Sequence, residues 1–285
     1  MATHVHVSEY LRLNKMPHIW CPGCGTGIVL GAIVRAIAAV GYKRDDVVVV
    51  TGIGCSSRTN AIIDFNTFQT THGRALSFAT GFKMARPEMK VIVITGDGDG
   101  AGIGGNHLIH TARRNIDITT ILVNNGIYGM TGGQYSPLTP RGSIASTATT
   151  GTLEPSFDMC ELVKGAGATF VARSTAYHAT MLEHLVANGL KHHGFSFIEA
   201  ISQCPIGFGR RNNQKTPVAM LTWQKEHAIT IAAAAKASPE HLAGKFLIGE
   251  FVNKEAPEFS DVYWDMSRKA QQRKKEAESC SGKKS

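Results

Sequence analysis

No run of apolar residues in this 285-residue chain reaches the ~18 needed to cross a bilayer, and the best candidate, Gly27 to Val40, is interrupted by Arg35. A membrane span is therefore not expected. The opening Met-Ala-Thr-His-Val-His lacks the basic start and apolar core of a secretory signal, so the cytoplasm is the expected location. No internal repeat is present. Cysteine is scarce, six residues at 21, 24, 55, 160, 204 and 280, and in a cytoplasmic protein these argue for metal or redox chemistry instead of a disulfide framework. Charge is also thin once it is located. The formal net charge is +8, but residues 268–285 hold seven Lys or Arg and two Glu, so the other 267 residues carry only +3. A basic tail of this kind reads as a solvated end, and no nucleic-acid partner is expected.

What is present centres on Gly96-Asp97-Gly98-Asp99-Gly100, with Asn124-Asn125 downstream. Val91-Ile92-Val93-Ile94 just before it is a short β-branched run that reads as a buried strand, and residues 102–113 after it read as a helix. Glycines at such a turn let the backbone approach a bulky anion, and the helix N-terminus offers free N–H groups. An acid there would repel a phosphate unless a cation sat between them, so Asp97 suggests a divalent metal holding a diphosphate. The run 119–123 reads as the next strand. Between Gly98 and Asn124 lie 25 residues, enough for one helix and a parallel return strand, which puts Asp97 and Asn125 at neighbouring strand tips. A carboxylate, an amide oxygen and a carbonyl are hard ligands suited to Mg²⁺. The pairing resembles the Gly-Asp-Gly…Asn motif of thiamine-diphosphate enzymes, whose metal ligands match Asp97, Asn125 and the carbonyl of Ile127. Gly100 to Gly105 also satisfies the dinucleotide fingerprint G-x-G-x-x-G. That fingerprint wants an acid at the end of the next strand; Asp117 precedes the strand and Asn-Asn ends it.

Apolar runs alternate along the chain. Helices are expected near 27–40, 75–86, 157–165 and 178–192, and strands at 47–50, 91–94, 119–123, 168–172 and 196–201. This alternation predicts an α/β fold, a parallel sheet flanked by helices on both faces. Residues 126–150 are rich in Gly, Ser and Thr and are expected to fold over a ligand. The rhythm stops after 201, giving an expected cofactor domain over 1–210 and a C-terminal arm with a basic tail over 211–285. Helical pieces are expected in the arm near 223–236 and 264–278. Tyr10, Leu11 and Leu13 are expected to dock the lead-in.

Cys21 and Cys24 form C-x-x-C, a weak signal alone. Cys55 ends one expected strand and Cys204 follows another, on the same side as the Asp97 turn. Four converging thiolates suit a Cys₄ zinc site or a [4Fe–4S] cluster, and a place beside thiamine diphosphate favours the cluster. Cys160 reads as a packing residue, and Cys280 lies in the tail.

Five motifs occur in order: Trp-Cys-Pro-Gly-Cys-Gly, Gly-Ile-Gly-Cys-Ser-Ser, His-Gly-Arg-Ala, Gly-Asp-Gly-Asp and Asn-Asn-x-Ile-Tyr-Gly-Met-Thr-Gly-Gly-Gln. Over about residues 18–210 the chain resembles the β subunit of 2-oxoacid:ferredoxin oxidoreductases, and most the 2-oxoglutarate branch. The resemblance implies reversible oxidative decarboxylation of 2-oxoglutarate to succinyl-coenzyme A and CO₂, with electrons passing through the cluster to ferredoxin. It implies cluster ligands Cys21, Cys24, Cys55 and Cys204, and Mg²⁺ ligands Asp97, Asn125 and Ile127. Gly98, Asp99, Gly129 and Met130 would line the diphosphate, with Ile53, Gly54, Cys55 and Ser56 on the thiazolium side. His72 matches a position near the cofactor and is a candidate for proton handling. Arg58 is a candidate for meeting a substrate carboxylate bidentately. Thiamine-diphosphate enzymes also need a Glu from a pyrimidine-binding domain, for which this chain has no room. The expectation is a larger α subunit, an α₂β₂ assembly and no activity for the chain alone. The alternatives are a subunit acting on pyruvate or another 2-oxoacid, a non-redox thiamine-diphosphate decarboxylase subunit, or a zinc-bound scaffold.

Overall fold

The computed structural model describes residues 7–281, with side chains up to Glu278. The readings made for residues 1–6 and for the side chain of Cys280 lie outside that range. Val47-Val48-Val49-Val50-Thr51 is a run of β-branched residues, stiff at χ1 and suited to a pleated surface, and it forms β1 (Val47–Thr51). Before it, α1 (Thr26–Val40) stops at Gly41, whose φ of 82° gives the left-handed cap. The chain continues through α2 (Thr59–Ile62), β2 (Asn66–Gln69), α3 (Ala75–Ala85), β3 (Lys90–Gly96), α4 (Gly105–Arg113) and β4 (Thr119–Asn124). Then come α5 (Met159–Gly165), β5 (Phe170–Thr175), α6 (Ala179–Lys191) and β6 (Ser196–Ile201). The last part holds α7 (Pro217–His227), β7 (Ala228–Thr230), α8 (Ile231–Ala234), α9 (Pro239–Leu242), β8 (Phe246–Asn253) and α10 (Phe259–Ser281).

One eight-stranded sheet results, in the order β2-β1-β3-β4-β6-β5-β8-β7. The first six strands are parallel, as expected, and β8 joins β5 antiparallel. Strand residues alternate between two cores. Val47, Val49, Ile92, Ile94 and Ile121 face α1 and α6, while Val48, Val50, Val91 and Val93 face the layer of α3, α4 and α5. Each fully buried Ile or Phe contributes about 1.5–3 kcal/mol, so both faces must stay covered. Because the six strands run the same way, their C-terminal tips share one edge.

The arm departs from the sequence reading. The helix expected over 223–236 is broken by β7, where the β-branched pair Ile229-Thr230 extends alongside β8 and Thr230 then caps α8 through the Ala233 N–H. Strand β8 has no sequence signature because Gly249 and Glu250 interrupt its apolar alternation at a part-exposed position. Tyr10 stacks on Phe65 and Leu11 packs on the core, whereas Leu13 is 60% exposed and does not dock. No helix among the described residues is long and apolar enough to cross a membrane.

Candidate cofactor and metal site

Four strand tips meet at one edge. After β3, residues 97–103 form a wide helical turn before α4, and Asp97 and Asp99 are both buried within it. Asp99 is saturated by the protein. Its carboxylate accepts from the Thr95 hydroxyl (2.6 Å), the Gly73 N–H (2.7 Å) and the Ile53 N–H (3.3 Å), and meets His72 Nδ1 at 2.6 Å. Three segments are thereby pinned together. Because that carboxylate can only accept, the contact places a proton on His72 Nδ1. A Cβ on Gly52 would lie 2.1 Å from Asp99 Oδ2, so only glycine lets the carboxylate in.

Asp97 is different. Its carboxylate accepts from Ser136 Oγ at 2.5 Å, and burial, partly offset by that bond, pushes its carboxyl up to about 7. A nearby cation would restore the charged form. Asn125 Oδ1 accepts from the Ile127 N–H at 3.2 Å, which turns the chain after β4 back toward the Asp97 turn. Tyr128 donates to the Gly98 carbonyl at 2.8 Å, and a Cβ on Gly98 would lie 2.2 Å from the Tyr128 ring.

These residues enclose a cavity of about 150 Å³. Ile53, Gly54, Cys55 and Ser56 form one wall; Asp97, Gly98, Asp99 and Asn125 form the floor; Ile127, Gly129, Met130 and His72 complete it. Every residue expected at the cofactor is therefore brought together. Tyr128 and Thr131, which also line it, come from the 126–150 segment, held by bonds such as Tyr128 N–H to Gln134 O (2.9 Å) and Ser146 N–H to Gly133 O (2.7 Å). Arg58 is exposed and does not line the cavity. A larger cavity of about 590 Å³ lies behind the Asn124–Gly126 turn, but neither Asp97 nor any cysteine lines it.

The cysteines gather beside the cavity. A Cβ on Gly129 would lie 3.5 Å from Cys204 Sγ and 3.6 Å from Cys55 Sγ. The C-x-x-C turn is stapled to the end of β6 by Gly25 N–H to the Gln203 carbonyl (3.1 Å) and Gln203 Nε2 to the Gly23 carbonyl (3.2 Å). Trp20 Nε1 donates to the Cys55 carbonyl at 2.7 Å, tying the same turn to the end of β1. Burial pushes the Cys55 thiol up to about 11, and Cys24, Cys204 and Cys21 add to the shift as further negative charges. Cys160 lies apart in the core, with Sγ 3.7 Å from the Ala172 carbonyl.

Sequence reasoning missed Thr95, Ser136, Tyr128 and Trp20. Trp20 and Tyr128 stood inside quoted motifs; Thr95 and Ser136 carried no signal, because a hydroxyl in a strand or loop has no spacing of its own.

Comparison with known proteins gives a consistent result. Residues 52–200 match the family described as thiamine pyrophosphate enzyme, C-terminal TPP binding domain. The chain is 51% identical over 258 residues to the 2-oxoglutarate synthase subunit KorB of Methanothermobacter marburgensis, covering 90% of each chain. It is 49% identical over 251 residues to the subunit of the same name in Methanocaldococcus jannaschii, covering 88% of this chain and 93% of that one. Among solved structures, it superposes with a TM-score of 0.84 and 31% identity on a 2-oxoglutarate:ferredoxin oxidoreductase from Magnetococcus marinus with 2-oxoglutarate, coenzyme A and succinyl-CoA bound, covering 94% of this chain and 91% of that one. The dinucleotide alternative falls with these matches, and the wide turn at 97–103 lies inside the matched thiamine pyrophosphate domain. The chain belongs to the KorB family, the β subunits of 2-oxoglutarate:ferredoxin oxidoreductases.

Proposed function

We propose that this β subunit holds thiamine diphosphate through Mg²⁺ on Asp97, Asn125 and the Ile127 carbonyl, and a [4Fe–4S] cluster on Cys21, Cys24, Cys55 and Cys204, and that it delivers electrons to ferredoxin. The observation that carries the reading is the joining of cavity and thiols: Cys55 lines the cavity, and a Cβ on neighbouring Gly129 would lie 3.5 Å from Cys204 Sγ and 3.6 Å from Cys55 Sγ. The residues fit both groups. Asp97 is a buried carboxyl that burial holds near neutrality until a cation arrives. Glycine at 52 and 98 lets Asp99 and Tyr128 close against the backbone and shape the cavity. Burial and the neighbouring Cys24, Cys204 and Cys21 disfavour a charged Cys55, and a bound metal centre would relieve that opposition.

Structural zinc sites more often use two C-x-x-C knuckles, and Cys55 and Cys204 are isolated in the sequence, which favours a cluster over zinc. When bound, thiamine diphosphate supplies the carbanion and electron sink for decarboxylation, and the cluster supplies one-electron transfer. The chain's own part is placement. Asp99 fixes His72 so that Nε2 can take or return a proton at the cavity wall. Arg58, exposed one turn after Cys55, is proposed to meet the distal carboxylate of 2-oxoglutarate.

In this reading residues 1–210 form the cofactor domain and 211–285 an arm. An α subunit supplies the pyrimidine-binding half in an α₂β₂ assembly, coenzyme A accepts the acyl group, and the enzyme works in the cytoplasm. Anaerobic purification with the α subunit, followed by iron, sulfide, magnesium, zinc and thiamine analysis, tests it. Equal iron and sulfide with one thiamine and one magnesium per chain is expected. Stoichiometric zinc without thiamine would overturn it.

A further inference from the structure

The surface around the thiols combines exposed apolar side chains with exposed cations. Cys21, Pro22 and Gly23 are exposed, while Cys24, Cys55 and Cys204 are half-buried, so Cys21 is the thiol nearest solvent. Large apolar side chains stand out on both sides of it. Met16 and Ile19 precede Cys21, Ile19 being 67% exposed, and Ile206 and Val218 follow Cys204, Val218 being 71% exposed. The two groups are neighbours in space, because Pro217 sits directly against Gly23. Exposed apolar residues grouped in this way mark an interaction surface.

Charge identifies the partner. The stretches that carry the thiols, 10–25, 53–58 and 202–218, contain six Lys or Arg and no Asp or Glu, and Asp97 and Asp99 on the same edge are buried. Of these bases, Arg12 pairs with Asp64. Lys15, Arg210 and Lys215 are exposed, and among the described residues no carboxylate lies within ion-pair distance of them. An apolar centre rimmed by free cations suits a small acidic protein and repels a basic one.

We infer that the face formed by residues 13–23 and 206–218 is where an acidic electron-carrier protein docks, over Cys21, with Lys15, Arg210 and Lys215 as its charged contacts. The inference rests on the cluster reading above. It specifies Cys21 as the exit side, and it leaves the cavity mouth, where Ile53 and Met130 are exposed, for the α subunit.

The test uses the reconstituted α/β complex, 2-oxoglutarate and coenzyme A. Electrons are accepted either by a purified acidic [4Fe–4S] ferredoxin or by a zwitterionic viologen sulfonate. The double variant Arg210→Glu/Lys215→Glu is expected to raise KM for the ferredoxin at least tenfold, with the viologen rate and the low-temperature EPR spectrum of the cluster unchanged. An unchanged ferredoxin KM overturns the docking, and so does loss of α-subunit binding, which would give this face to the α subunit. Should the double variant misfold, the wild type still decides. Its kcat/KM for ferredoxin is expected to fall at least tenfold from low to high salt while the viologen rate holds, and a flat profile overturns the docking. A wild-type complex lacking the EPR signal fails the cluster reading itself, which is a separate result.

Discussion

Asp97 and Asp99 at the tip of β3 are buried, and donors from several chain segments hold them in place, whereas Cys21, on the same edge of the sheet, is exposed on a surface turn. The diphosphate cradle is thus made by the fold before any cofactor arrives. The thiol edge is made of loops from distant parts of the chain, stapled by a few bonds from Trp20, Gly25 and Gln203. One region is preorganised at a cost in buried charge; the other is held by few bonds and, in the proposed reading, is closed by an inorganic core.

Variants that damage one region and spare the other sharpen that contrast. The largest effect is expected from Asp97→Asn, which should cut turnover roughly 10³-fold by removing a metal-facing charge while cluster EPR persists. The same change should stabilise the cofactor-stripped complex at high pH. With its carboxyl raised from 3.8 to about 7, the folded chain holds a proton that the unfolded chain releases, so stability falls as pH rises through that window. Three units correspond to roughly 4 kcal/mol, so the Tm of Asp97→Asn should match wild type near pH 4 and exceed it at pH 8. Equal melting at pH 8 would show that the buried acid costs nothing.

Cys204→Ser is expected to drive ferredoxin reduction to background with thiamine content unchanged; loss of both cofactors would show the regions to be one unit. Arg58→Ala should raise KM for 2-oxoglutarate roughly 10–100-fold, the range of a charge-assisted hydrogen bond, and leave pyruvate kinetics alone. Unchanged 2-oxoglutarate kinetics would remove Arg58 from the substrate. The smallest effect is expected from Trp20→Phe, which deletes the bond to the Cys55 carbonyl at a cost of about 1 kcal/mol in stability. Its sign should be a lowered Tm with thiamine binding intact.

The same contrast governs what could be read from the residues alone. The parallel half of the sheet was legible because its β-branched runs are continuous, and a strand buried on both faces has no polar residue to confuse the period. Asp97, Asn125 and His72 were legible because their chemistry falls at strand tips or in a local motif. Strand β8 was hidden by Gly249 and Glu250, and the Ala-rich stretch 231–235 made β7 look helical. Ser136 and Thr95 were invisible because their partners, Asp97 and Asp99, are chosen by the folded path of the chain and by no repeat in the sequence. The exposed lead-in was misjudged at Leu13 because apolarity alone does not say which face a short turn presents.

Cys55 itself lines the cofactor cavity, and a Cβ on Gly129 would lie 3.5 Å from Cys204 Sγ and 3.6 Å from Cys55 Sγ, so the cavity and the thiols share a boundary with no intervening side chain. In the proposed reading, electrons leaving the cofactor have only that shared boundary to cross. A larger residue at 129 would press on both sulfurs at once.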